Sequence, residues 1–296
     1  MKGYKYCLLY LQLTSFISEL DMSIVSPGYY LFPMIAGYNL GAELVRSHIN
    51  MNIYLFIFAF ELPSVLICFI FRNNAAIEIG QRVGRQFLKK ISLFLCHLFP
   101  FFVAISFWKS QLTYQQKYDH LKKNWPECLE WIKIPNFEVY DYELNPWLAV
   151  LGIGAIAFAV VVYTYICALS IHTMLSLQQY RKSMSAETYK MHKTALFSLL
   201  MQSIIPGALI IAPLCICMFV VVTEAVELQS LATNTQFMIA SHSMCSALVM
   251  ILCNPNYRKY LKEKSLKMLT RISSRFKKYN SVEPGNSFVV VRTTVE

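Results

Sequence analysis

No short motif of a soluble enzyme occurs in this chain. It has no His-Glu-x-x-His, no Cys-x-x-Cys, no glycine-rich phosphate loop and no Gly-x-Ser-x-Gly elbow. Those patterns would carry a zinc site, a redox pair, a nucleotide or a hydrolytic nucleophile. Cys215 and Cys217 fall on different faces of a helix, a poor geometry for one metal. Ser241, His242 and Ser243 have the residue types of an intramembrane protease, but adjacent residues on a helix point apart. The chain therefore reads as a non-enzyme with no cofactor. It also lacks any Asn-x-Ser/Thr sequon, so glycosylation gives no clue to which loops are external. Charge is sparse and unbalanced, with 17 Asp and Glu against 27 Lys and Arg and a formal net charge of +10. Such a balance can mean nucleic-acid binding, yet the bases are not spread for it. All but Arg46, Lys109, Lys117, Lys122, Lys123 and Lys133 lie in four polar pieces on one predicted side of a membrane. That pattern reports orientation and contact with anionic inner-leaflet lipid, not a nucleic-acid groove.

What the chain does have is apolar length. Hydrophobic residues make up 56% and the mean hydropathy is +0.42. Six segments, near 6–30, 49–71, 91–108, 147–174, 195–222 and 237–253, approach the ~20 apolar residues a hydrocarbon core requires. The loops between them alternate in charge. Arg72, Arg82, Arg85, Lys89 and Lys90 share one loop with a single acid, Glu78. The next, 109–145, carries Asp119, Glu127, Glu130, Glu138, Asp141 and Glu143. Arg181, Lys182, Lys190 and Lys193 follow, then Glu224 and Glu227, then a basic tail. Basic short loops stay cytoplasmic, so both termini are expected inside. Lys2 and Lys5 before an apolar run imitate a signal peptide, but Glu19, Asp21 and the absence of a small-residue cleavage site favour a spanning helix. The expected fold class is all-α: a polytopic membrane helix bundle over 1–253, a basic amphipathic surface helix over 254–278, and a disordered cytoplasmic tail over 279–296.

In 254–278, Tyr257, Leu261, Met268, Leu269, Ile272 and Phe276 recur at helical spacing among nine Lys and Arg. Such a helix lies on the inner leaflet. Pro63, Pro100, Pro206 and Pro213 sit inside spans, where each deletes a backbone hydrogen bond and serves either shape or hinge motion. The first outer connection mixes Pro27, Pro33, Gly28, Gly37 and Gly41 with four aromatic rings. The second outer loop, about 37 residues long, is expected to pack, for instance as a lid. Cys128 alone among nine cysteines falls in an outer loop, with no intrachain partner in view. Glu61 near the middle of the second span, Glu19 and Asp21 in the first and His242 in the last are costly at membrane depth. They are read as functional or as internally satisfied.

Several stretches together resemble nematode serpentine chemoreceptors of class H and the related class I. These are Phe32-Pro-Met-Ile-Ala-Gly-Tyr-Asn-Leu-Gly41, Phe71-Arg-Asn-Asn, Met184-Ser-x-x-Thr188, Gln202-x-x-x-Pro206 with Pro213, Ser241-His-Ser with Ser246, and Pro255-x-Tyr-Arg258. Their order is that of the family over nearly the whole chain. Ser243 stands where the pattern has Gly, His192 where it tends to Gln, and Arg72 is the sole basic candidate where rhodopsin-like receptors have Asp-Arg-Tyr. The resemblance implies six helices of a seven-helix GPCR-like fold, with the first helix lacking through a truncated gene model or a degenerate member. It also implies a G-protein-coupled chemosensory receptor in the plasma membrane of sensory-neuron cilia, with a small-molecule ligand and a heterotrimeric G protein as partners. On it, Glu61, Gln202 and His242 are the expected ligand contacts. Arg72, Lys182, Lys193, Tyr257 and Arg258 are expected at the G-protein face. A small transporter or channel, or a non-signalling receptor remnant, are the alternative readings.

Overall fold

The computed structural model describes residues 3–41, 46–79 and 86–280. Residues 3–253 form one compact unit and the chain from Asn254 a second. In the first unit, α1 (Tyr4–Leu20) continues through one π turn, Asp21–Val25, and then stops. The expected span over 6–30 therefore ends at Val25, because Pro27 cannot continue the ladder and Gly28–Leu31 leave the helix as strand β1. β2 (Ala36–Asn39) pairs antiparallel with β1, Tyr30 opposite Gly37 and Leu31 opposite Ala36.

The second span is α2 (Ser47–Ala59) followed by α3 (Glu61–Ile79), interrupted at Phe60. Pro63 has no N–H to donate to Ala59, so the ladder loses one bond here, and the helix restarts at Glu61 with Pro63 in its first turn. α4 (Gln86–Lys109) carries Pro100. α6 (Trp147–Gln179) and α7 (Ala186–Thr223) form the next two spans. At 1.5 Å per residue the 38 residues of α7 outrun a ~30 Å hydrocarbon core. Its first turns, with Glu187, Lys190 and Lys193, therefore project beyond the bilayer. Ser185 caps that end, accepting from the Thr188 amide at 3.1 Å. α7 runs helical through both Pro206 and Pro213.

The sixth span departs from the continuous 237–253 of the sequence reading. The structure gives α8 (Gln229–Ala240) and α9 (His242–Cys253), with the segment bent by 46° at Ser241. Among the described residues, five helices are long and apolar enough to cross a membrane, or six when the bent pair counts as one span. The all-α bundle is thus observed, and the bilayer explains its outward apolar side chains, such as Phe94, Ile153 and Val222, each more than 60% exposed. Its buried centre is Leu66, Cys68, Phe69, Cys96, Ile166, Leu196 and Leu199.

The second outer loop is folded, not a bare connection. α5 (Tyr114–Asn124) begins with a reciprocal cap between Thr113 and Gln116. A 3₁₀ turn over Pro126–Lys133 and strand β3 (Phe137–Val139) follow. β3 joins β2, with Val139 opposite Ala36 and Phe137 opposite Tyr38, to complete a sheet in the order β1-β2-β3. Leu31, Met34, Ala36, Leu121, Phe137 and Val139 form a small core of their own. The two outer connections are therefore one structural cap. Cys128 lies half-buried against that core. Burial, and secondarily the Glu127 carboxylate, push its thiol pKa up. Its thiolate fraction at neutral pH should fall accordingly. Iodoacetamide is expected to label native Cys128 several-fold more slowly than the same residue in urea, followed by the mass of the 126–133 peptide. Equal rates would show that the thiol is not packed.

The second unit is α10 (Pro255–Asn280), described by itself. Tyr257, Leu261, Met268, Leu269 and Ile272 are exposed along it. It runs two residues past the expected 278. The remaining tail, 281–296, lies outside the described residues, as do Lys2, Arg82 and Arg85 of the inner loops.

Candidate functional site

Two helix breaks meet in the middle of the bundle. Glu61 is the first residue of α3 and His242 the first of α9, and the two are hydrogen-bonded with Nε2 2.9 Å from Oε1. The Ser18 hydroxyl of α1 donates to the same Oε1 at 2.8 Å. The other ring nitrogen, Nδ1, meets the Ile239 carbonyl in the last turn of α8, a carbonyl the bend at Ser241 frees. A carbonyl oxygen only accepts, so Nδ1 carries a hydrogen. One further proton then lies between Nε2 and Glu61, whichever of the two holds it. The Phe58 ring stands edge-on to the imidazole at 5.6 Å. His242 is buried and Glu61 nearly so, with side-chain exposures of 2% and 14%.

Gln202, the third expected ligand contact, is bonded within its own helix. Its Nε2 donates to Ser198 at 3.0 Å and its Oε1 has no partner. At the inner end of α3, Arg72 is buried with its guanidinium 3.5 Å from the Tyr4 ring centroid and its Nε unpartnered. Asn73 beside it ties three helices together. Its amide nitrogen reaches His172 at 2.8 Å and Thr173 at 3.0 Å, while Lys89 donates to the Asn73 and Asn74 side-chain oxygens at 2.6 Å each. Lys182 and Lys193 are exposed in the turn before α7 and in its first turns. Tyr257 and Arg258 are exposed at the start of α10, in the other unit.

The concavity lies against the cap, between its strands and the ends of α2, α4 and α6. It is a cavity of about 180 Å³, walled by aromatic and aliphatic side chains including Tyr30, Tyr38, Phe107, Tyr140, Met51 and Leu148. Glu61, Gln202 and His242 are not among its lining residues. Strand alternation builds one wall: Phe137 and Val139 enter the cap core while Glu138 and Tyr140 line the cavity. Glu138 is paired with the Lys117 ammonium, and Asp141 lies 2.8 Å from His120 Nδ1. The Tyr140 hydroxyl meets His48 Nδ1 at 2.9 Å, and His48 stacks on Phe107 at 4.8 Å, fastening the cap to α2 and α4. Thr233 of α8 donates to the Tyr30 carbonyl at 3.0 Å, adding a tie on the far side. Ile35, also in the wall, holds a left-handed φ of 49°, which is costly for a β-branched residue. Burial first, and the Asp21 carboxylate second, push the Tyr30 hydroxyl up to about 12.

The wall residues Tyr30, Tyr38, Glu138 and Tyr140 were not singled out from the sequence as a site. The available signal was the period-two run Phe137-Glu-Val-Tyr140, apolar and polar in alternation. A family model described as serpentine type 7TM GPCR chemoreceptor Sri matches residues 1–261. No curated protein and no solved structure gives a significant match.

Proposed function

The chain belongs to the Sri family of serpentine chemoreceptors, and from that premise we propose that it is a G-protein-coupled receptor at the ciliary membrane of chemosensory neurons. A small external molecule binds in the outer cavity, and the inner helix ends engage a heterotrimeric G protein. The observation that carries this reading is the cavity itself. It is ring-sized, largely apolar and partly open, and the sheet of a cap that has its own core lines one side of it. Small-molecule sites have that character. Because Glu61, Gln202 and His242 lie outside the wall, the proposal gives the Glu61–His242 pair a transmitting part. The pair couples α1, α3 and α9 at the two points where the backbone is already interrupted. On α3, Glu61 and Arg72 are 11 residues apart, three turns and about 16 Å along one face. A small tilt at the upper residue therefore moves the lower one as a rigid lever. Arg72, Lys182 and Lys193 are proposed for the G-protein face, with Tyr257 and Arg258 added from their place in the sequence. The basic side chains of α10 are proposed to rest on anionic lipid, each contributing about 1 kcal/mol near the surface.

Ligand binding drives signalling only if affinity differs between the two conformations. The test is a G-protein activation assay against a chemical panel in cells displaying the tagged receptor. Met51→Trp, which fills the cavity from α2, is expected to remove the response at least tenfold while surface display stays normal. A response unchanged in this variant, or ligand-independent ion flux from reconstituted vesicles, would overturn the reading.

A further inference from the structure

Among the described residues, the wall of the outer cavity carries one carboxylate, Glu138, and no Lys, Arg, His or Asp. The Glu138 charge is already matched. Its Oε2 pairs with the Lys117 ammonium, and the two side chains are only 13% and 11% exposed. Lys117 is not itself a wall residue. It stands on α5 one turn before Leu121, on the face that α5 buries in the cap. The hydroxyls of Tyr30 and Tyr140 in the wall stay uncharged at neutral pH, because burial pushes both up, the first to about 12. The rest of the wall is rings and aliphatic chains, among them Phe107, Met51 and Leu148.

Resting on the ligand site proposed above, we propose that the cavity takes an uncharged, ring-sized organic molecule. Lys117 sets that preference from outside the wall by holding the Glu138 charge. A cation entering the cavity meets a carboxylate that is already paired, with the Lys117 ammonium behind it. An anion meets Glu138 with like charge and finds no base in the wall. Either ion sheds hydration and gains no counter-charge, which is costly in an apolar surround. An uncharged ring gives up little to water and gains the apolar contact. Its size follows from volume: about 180 Å³ slightly exceeds the cavity of about 150 Å³ known to admit benzene. The same reasoning makes the preference reversible. Without Lys117 the Glu138 carboxylate lines the cavity unpaired, and an ammonium ligand becomes the group that restores the pair.

Three probes of one skeleton separate these cases: benzyl alcohol, benzylamine and benzoate, added to the full chain purified in detergent at neutral pH. Binding is read by calorimetry and by the shift of the thermal unfolding midpoint. Benzyl alcohol is expected to bind at least tenfold more tightly than either ion. Lys117→Met is expected to raise the affinity for benzylamine at least tenfold. The double variant Lys117→Met with Glu138→Gln, which has neither charge, is expected to return to the original order. The comparison of probes on the unaltered protein stands even if Lys117→Met fails to fold. An ion bound by the unaltered protein as tightly as the alcohol, or no gain for the amine in folded Lys117→Met, would overturn the inference while leaving the cavity as the ligand site. Met51→Trp is expected to abolish binding of every probe. If binding survives that change, or if no probe binds the unaltered protein, the inference and the placement of the site fall together.

Discussion

Glu61→Leu, with His242 left in place, is expected to destabilise the bundle by about 3 kcal/mol, within the range for breaking a buried pair from one side. The substitution is nearly isosteric, so lost packing is not the main term. The cost arises because His242 Nε2 then faces no acceptor at 2% side-chain exposure, and the Ser18 hydroxyl loses the same oxygen. His242→Leu is expected to cost a comparable amount by stranding the carboxyl. The double variant is expected to recover more than half of the summed loss, since replacing a buried pair by apolar groups is close to neutral. Membrane interiors temper this expectation. Interhelical hydrogen bonds between neutral groups average only about 0.6 kcal/mol there. A coupling well above that value would show that charge, not a neutral hydrogen bond, holds the two breaks together. Thermal unfolding in detergent of the four proteins of the cycle measures it, and a coupling below about 0.5 kcal/mol would remove the pair from the account. In the signalling assay, the double variant is expected to reach the surface and yet respond weakly, because the link between α3 and α9 is lost while the fold is kept.

Leu121→Ala is the second large effect, and it falls on the cap instead of the bundle. Leu121 is fully buried in the small core formed with Leu31, Met34, Ala36, Phe137 and Val139. Removing its three carbons leaves a void that so small a core cannot refill, at a cost of about 2–5 kcal/mol. That is a large share of what a few dozen residues can hold, so the cap opens locally while the spans stay folded. Chymotrypsin, added from outside, is expected to cut the 114–145 segment far faster in the variant, with the spans uncut and near-native helix content by circular dichroism. Unaltered cleavage would mean that the outer loop draws its order from elsewhere. Because Tyr140 and Glu138 leave the cavity wall when β3 does, the ligand response should be lost with the cap. This outcome differs from that of Met51→Trp, where the cap remains resistant.

The two variants probe features of unequal visibility in the sequence. Spans were legible because lipid imposes a length and the positive-inside bias imposes a direction, both one-dimensional properties. Pro63 marked a weak point near Glu61, since a missing N–H is a property of the residue itself, but α7 stays helical through Pro206 and Pro213, so proline alone does not place a break. The bend at Ser241 had no such mark. Its freed carbonyl is taken by the side chain of His242, and its partner across the bundle is 181 positions away. Strand β3 is three residues long and exists only because β2 offers it an edge. Arg72, expected to border the G-protein face, is buried with its guanidinium over the Tyr4 ring, a contact no local pattern announced. A guanidinium's flat face allows that stacking without a carboxylate in reach.

Composition and order alone settled that this chain is a helical membrane protein, which segments are apolar enough to cross, and where basic charge gathers. Hydropathy and charge act residue by residue, so no partner had to be known. Tertiary structure alone decided that two outer connections fuse into one cap, that Glu61 meets His242, and that Thr233 reaches the Tyr30 carbonyl. Those facts depend on which distant backbones come within hydrogen-bonding reach, and no window along the chain contains both sides of such a contact.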